Sequence, residues 1–349
     1  MESLAALAAL PFLVWGCVTY RHMSLAPGGP KPSFTSGGGT TYQHTSSLLT
    51  SEVVSIEGTP TELLHTKGDS DSLVVVFPGN PGSPKFYAQL VEEIHALSGE
   101  KRQRACVVGH AYHSCASATG SPTAPKYFDL KEQMEHKLAS LRFLLNRNPP
   151  GTKLILMGHS VGAWCVVQAM REYPGEDSAI AQGILLFPTV HNIGSSPNGV
   201  RLLPLMQFGR WALAAAAVLV QSLPLGLQEA IARSQLPKGA TPCTVEAALS
   251  IVHPCVGANA LWMALNEMRD IKELDEELAM AVGPKIVAYF GEGDPWNRPG
   301  DHLKCQAWFG PKANVVLCNE GHPHGFVLHP KSVSSVAKKC WGWISRAVR

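Results

Sequence analysis

The run Gly158-His159-Ser160-Val161-Gly162 constrains this chain more than any other stretch. Ahead of it, Lys153-Leu154-Ile155-Leu156-Met157 reads as a short buried strand, and behind it an apolar segment to Met170 reads as a helix. A G-x-S-x-G between a strand and a helix is a sharp turn that holds its serine in a strained backbone conformation with the hydroxyl exposed. Strand and helix crowd such an elbow, and Gly158 and Gly162 bring no Cβ to collide there. A bare match would mean little, because glycine and serine are common. The strand–turn–helix setting makes Ser160 a candidate nucleophile rather than part of a glycine-rich structural turn.

A serine hydroxyl is a poor nucleophile without a base to take its proton. Where this elbow occurs, the partners follow in the order serine, acid, histidine. The run from Pro284 to Phe290 reads as a strand, followed by Gly291-Glu292-Gly293-Asp294-Pro295-Trp296. Asp294 then sits in a loop at a strand's carboxyl end, where the ligand sites of open α/β sheets collect. Glu292 and Asp301 are its rivals, one nearer the strand and one further along the loop. The preceding strand ends Leu185-Leu186-Phe187-Pro188, without a carboxylate. The histidine follows the strand Asn314 to Cys318, within Glu320-Gly321-His322-Pro323-His324-Gly325-Phe326. Only one of the two can be the base. His324 is preferred, since the glycine and apolar residues after it pin the loop to the core, and His322 is the alternative base. A neutral imidazole there takes the serine proton and returns it to the leaving alkoxide, while the acid fixes its tautomer.

An oxyanion hole completes such a site. The apolar strand Ser72 to Phe77 runs straight into Pro78-Gly79-Asn80-Pro81-Gly82, the place where one backbone N–H is supplied. Pro78 and Pro81 have none to give, so the donor is Gly79 or Asn80, paired with Val161 after the nucleophile. A phosphate loop is excluded, because no lysine-serine or lysine-threonine pair follows and G-x-G-x-x-G is absent.

With 349 residues, 45% of them hydrophobic, the chain can bury the core of one α/β domain carrying an inserted cap. The expected architecture is an α/β-hydrolase fold, a mostly parallel central sheet with helices on both faces. It would occupy residues 41–349, with an apolar cap at 189–283. A net charge of +2 without a basic run gives no case for a nucleic-acid partner. Nine cysteines lacking any C-x-x-C pair give neither a disulfide framework nor a zinc signature. For His110 and His113 a loop or pocket-lining role is preferred over a metal site. No metal and no organic cofactor is expected. Two amphipathic helices are ordinary packing elements, one from Phe128 to Asn146 and one from Lys331 to Arg349.

Two further segments bear on membranes. Residues 202–227 are strongly apolar but interrupted by Gln207 and Arg210, and read as a lid helix or shallow hairpin whose apolar face meets lipid. Residues 1–40 hold an uncharged apolar stretch from Ser3 to Tyr20, then a Gly/Pro/Ser-rich linker. Glu2 opens that stretch and no cleavage site follows, so an uncleaved membrane or droplet anchor is preferred over a signal peptide. Arg21 after it would leave the catalytic domain cytosolic.

Pro78-Gly79-Asn80-Pro81-Gly82 with Phe86-Tyr87, Gly158-His159-Ser160-Val161-Gly162-Ala163, and His324-Gly325-Phe326-Val327-Leu328 together resemble the lipid droplet-associated hydrolase family. The likeness spans roughly residues 70 to 345, and the proline-glycine-asparagine-proline-glycine loop is its rarest part. The resemblance implies Ser160 as nucleophile, Asp294 in its Asp-Pro-Trp setting as acid, and His324 rather than His322 as base. It implies droplet or endoplasmic reticulum association and a sterol ester or other lipid acyl ester as substrate. The chain departs from the family in its apolar N-terminal segment and long glycine-rich linker. A thioesterase or small-ester carboxylesterase would use the same residues. A droplet-associated lipid-binding or organising protein with little turnover is the rival of another class.

Overall fold

The computed structural model describes residues 40–43, 48–112, 126–175, 178–204, 206–207 and 219–348. The N-terminal stretch and its linker, His113, and the centre of the apolar 202–227 segment lie outside the described residues. The strands are β1 (Thr40–Gln43), β2 (Leu49–Ile56), β3 (Thr59–Thr66), β4 (Ser72–Phe77), β5 (Arg104–Val108), β6 (Lys153–His159), β7 (Ile180–Leu186), β8 (Ile286–Gly291) and β9 (Asn314–Cys318). They form one sheet in the order β1-β2-β3-β5-β4-β6-β7-β8-β9. All pairs from β5 to β9 are parallel, whereas β1, β2 and β3 pair antiparallel, as does β3 with β5. This is the α/β-hydrolase fold.

The first three strands went unread in the sequence. β2 and β3 join through Glu57-Gly58, whose φ values of 47° and 80° suit the tight two-residue turn that matches strand twist.

The helices are α1 (Ala88–Leu97), α2 (Leu130–Arg147), α3 (Val161–Arg171), α4 (Pro197–Pro204), α5 (Leu225–Gln235), α6 (Pro242–Ile251), α7 (Pro254–Asp270), α8 (Glu276–Val282), α9 (Asp301–Phe309) and α10 (Pro330–Ala347). Alternation along β4 divides the core between the two sheet faces. Val74 and Val76 pack with Leu90 and Ile94 of α1 and Val333 and Val336 of α10, while Leu73, Val75 and Phe77 pack with α2, α3 and α9. Covered on both faces, β4 is buried throughout and β6 everywhere but Lys153.

α2 opens on a reciprocal cap between Asp129 and Glu132, two residues later than the sequence reading placed it. In α10 it is Trp343 that enters the core, with Trp341 half-buried against it.

Helices α4 to α8 all lie between β7 and β8. Leu202 of α4 and Val256, Leu261, Met263 and Met268 of α7 pack with Val161, which ties this insertion to the elbow. Leu219, Leu225 and Leu227 at its outer edge are exposed, Leu225 by 78%. Among the described residues no single helix is long and apolar enough to cross a membrane.

Candidate active site

Ser160 joins β6 to α3 with φ 54° and ψ −123°, a conformation that costs a side chain about 1–3 kcal/mol and persists only where packing enforces it. The glycines on either side permit that packing. A Cβ on Gly158 would lie 2.2 Å from the Gly162 carbonyl oxygen, and one on Gly162 would lie 2.1 Å from that of Phe77.

Three loops at the carboxyl ends of β6, β8 and β9 bring Ser160, Asp294 and His324 together. His324 Nδ1 donates to Asp294 Oδ2 at 2.7 Å, and Ser160 Oγ lies 2.9 Å from His324 Nε2. A carboxylate can only accept, so the imidazole proton sits on Nδ1 and Nε2 is free to accept from the serine hydroxyl. Asp294 Oδ1 takes the Trp296 N–H at 2.9 Å, and Oδ2 takes the Asn297 amide at 3.3 Å. Burial pushes the Asp294 carboxyl upward, but the charge and hydrogen bond of His324, with those two donors, outweigh it and hold the group below its ordinary value.

The rivals are placed elsewhere. Glu292 is exposed. Asp301 is buried at the start of α9, where it accepts the Arg298 N–H at 2.8 Å and lies 3.5 Å from His191. His322 turns its ring nitrogens to Ser332 and Glu320, each at 3.2 Å.

The loop after β4 departs from one of the two oxyanion-donor readings. The Gly79 N–H is donated to the Tyr87 hydroxyl at 2.8 Å, so it is not turned to a substrate. A Cβ on Gly79 would sit 2.9 Å from that of Ser160, which gives this glycine its use: it lets the loop close on the elbow. Asn80 keeps a backbone N–H without an acceptor among the described residues. Val161 opens α3, where the first N–H groups have no intrahelical acceptor.

Sequence reasoning passed over His159. Its Nε2 lies 2.9 Å from the backbone oxygen of His324, and its Nδ1 lies 2.7 Å from the Tyr87 hydroxyl. Proton positions follow from the two ends of this line. Gly79 offers only an N–H and His324 only a carbonyl, so His159 donates from Nε2 and accepts from Tyr87 at Nδ1. Burial, then the charge of His324, push its pKa down to about 3, in keeping with a neutral ring. His159 thereby ties the His324 loop to the Gly79-Asn80 loop through Tyr87, with Phe187 and Phe326 packed edge-on against it. The signal was present in the histidine before the serine and in Tyr87, but nothing local joined them.

His159→Phe is expected to lower kcat about 100-fold with little change in KM, because displacing a positioned base by ~1 Å costs on that order. His159→Gln, which keeps one donor and one acceptor, is expected to recover most of the rate. Steady-state kinetics of the two variants decide it, and equal losses would reduce His159 to a packing residue.

One group among the described residues brings metal-binding side chains together: Cys318, Glu320 and His322. Glu320 is already held by Lys339 at 3.1 Å and by Ser335, and an ammonium at that distance opposes a cation.

Ser160 and His324 face a cavity of about 290 Å³. Phe86, Leu202, Met206, Ile231, Leu261 and Met268 are among the apolar side chains that line it, most of them from the insertion between β7 and β8.

Comparison with known proteins agrees with this architecture. The family model described as lipid-droplet associated hydrolase matches residues 70–327. The mouse lipid droplet-associated hydrolase is 31% identical over 269 residues, covering 73% of this chain and 80% of the mouse protein. The human protein of the same name is 27% identical over 285 residues, covering 77% and 84%. Among solved structures, the 2-hydroxy-6-oxo-6-phenylhexa-2,4-dienoate hydrolase of Rhodococcus sp. strain RHA1 superposes with a TM-score of 0.56 at 14% identity, over 85% of this chain and 95% of its own. That likeness speaks for the fold alone. The model match extends from the strand before the oxyanion loop to the residues after His324, and the chain belongs to the lipid droplet-associated hydrolase family.

Proposed function

We propose that this chain is a serine hydrolase of lipid acyl esters, with Ser160 as nucleophile, His324 as base and Asp294 as the acid that orients it. One observation carries the reading: an unbroken hydrogen-bonded line from Ser160 through His324 to a buried Asp294, opening on an apolar cavity. Ser160 Oγ attacks the ester carbonyl carbon as its proton passes to His324 Nε2. The N–H groups of Asn80 and Val161 take the charge that develops on the carbonyl oxygen, each donor of this kind being worth about 2.7–4 kcal/mol. Collapse breaks the bond to the alkoxide, which leaves with the proton from His324, and an acyl-enzyme remains. Water then attacks the acyl carbon, gives its proton to His324, and Ser160 regains a proton as the acid departs.

The lining supports an acyl chain, since each buried methylene stabilises by about 0.8 kcal/mol. Sterol esters fall within this substrate class. A lipid droplet or endoplasmic reticulum surface, with the catalytic domain in the cytosol, is the location proposed. The relatives' names and the apolar stretches at 3–20 and 202–227 support it.

The test is labelling of the purified full chain with a fluorophosphonate probe beside Ser160→Ala and His324→Ala. Labelling of the wild type that disappears in both variants is the expected result. A folded wild-type protein that stays unlabelled would end the hydrolase reading and leave a lipid-binding protein.

A further inference from the structure

None of the steps above uses the carboxyl that the described residues of the insertion place in the cavity. Glu267 of α7 lines it and is 7% exposed. Its Oε1 accepts the Asn80 side-chain amide at 3.0 Å, and that amide also donates to the Ala260 carbonyl at 2.7 Å. Glu267 therefore sits beside the loop whose backbone N–H faces the reacting carbonyl. Among the described residues no lysine, arginine or histidine forms an ion pair with it, and no lysine or arginine lines the cavity.

A carboxyl so placed keeps its proton: burial pushes its pKa up to about 8, against the pull of the Asn80 amide. A protonated carboxyl both donates and accepts. The cavity holds a second polar group, for Thr189 Oγ1 is buried with no hydrogen-bond partner among the described residues. A buried polar group left unpaired costs about 1–3 kcal/mol, so a cavity made only to sheathe hydrocarbon would be better off without the Thr189 hydroxyl.

We infer that Glu267 is a specificity-determining residue that hydrogen-bonds a hydroxyl of the substrate, so that this cavity favours uncharged lipid esters carrying a free hydroxyl near the scissile bond, as partial glycerides do. Turnover of such a ligand rests on the hydrolase reading, but its recognition does not. A ligand bearing a carboxylate or phosphate would bring its charge into an enclosure where no lysine or arginine among the described residues meets it, an unfavourable burial.

Two uncleavable ethers separate the questions. Affinities of 1-O-octadecenylglycerol and methyl octadecenyl ether are measured on the wild-type full chain, Glu267→Leu and Glu267→Gln, by displacement of a fluorescent lipid. The wild type is expected to prefer the glycerol ether about tenfold, the worth of one well-made hydrogen bond in an apolar site. Glu267→Gln, which keeps a donor and an acceptor, should preserve the preference, and Glu267→Leu should abolish it. Equal wild-type affinities overturn the inference, as does a preference that survives in Glu267→Leu. If loss of the Asn80 acceptor unfolds that variant, the wild-type ratio still decides. Fluorophosphonate labelling of the same preparation reports on the hydrolase reading separately: binding preference without labelling would sink the enzyme and spare the recognition.

Discussion

Replacing Asp294 by asparagine is expected to lower kcat about 10⁴-fold while KM stays close to that of the wild type. The reason lies in which atoms surround the carboxylate. The Trp296 N–H is fixed backbone and must meet an oxygen, so it holds the new amide's oxygen at the Oδ1 position. The amide NH₂ is then left facing His324 Nδ1, where the wild type has an acceptor. An imidazole opposite a donor keeps its proton on the other nitrogen, so Nε2 would donate toward Ser160 rather than accept from it. Asn297 can rotate its amide to suit the change, so the fold is expected to survive. Single-turnover acylation with a chromogenic ester, beside circular dichroism as a folding control, measures the effect. A loss below about tenfold would move the orienting role off Asp294, and Asp301 and Glu292 would be tested next.

Gly162→Ala should cost about 3 kcal/mol of stability, the upper end for overpacking, although alanine is the better helix former by up to ~1 kcal/mol. The new methyl would meet the carbonyl oxygens of Phe77 at 2.1 Å and of Pro78 at 2.7 Å, and both are backbone atoms that cannot swing aside. Relief requires the elbow to part from the strand that leads into the oxyanion loop, so fluorophosphonate labelling should fall with the melting temperature. Gly226→Ala in α5 is the control, since nothing lies within 4 Å of the added carbon. A Gly162→Ala protein that melts and labels as the wild type does would show that the elbow tolerates a looser approach.

What could be read from the sequence was whatever depends on neighbours along the chain. The elbow is such a feature, because strand, glycine, serine and helix lie within a score of residues. Asp294 is another, since the strand before it and the loop that carries it are contiguous. Choices that hang on distant partners were not settled locally. His322 and His324 differ in what they meet, Glu320 and Ser332 for one and Asp294 and Ser160 for the other. Gly79 and Asn80 are separated by a hydroxyl from Tyr87, which turns one N–H away. The antiparallel strands β1, β2 and β3 carry few continuous apolar runs, a weaker signal than the solid apolar stretches of β4 and β6. Glu267 lay hidden for a related reason: an acid in the charged last turn of a helix, beside Arg269 and Asp270, reads as solvated face until the fold turns it inward.

The strand order also sets how the domain can be tethered. The chain reaches Thr40 at the β1 edge of the sheet, as far in strand order as it can be from β8 and β9, whose loops carry Asp294 and His324. Residues 21–39 can span at most about 65 Å when drawn out straight. If residues 3–20 are the anchor proposed above, they hold the domain by its far edge, on a leash comparable to the diameter of a domain of this length. Such an anchor would limit how far the cavity mouth can stray from a surface without dictating which way it faces, and would leave that orientation to other surface features such as the exposed Leu219, Leu225 and Leu227.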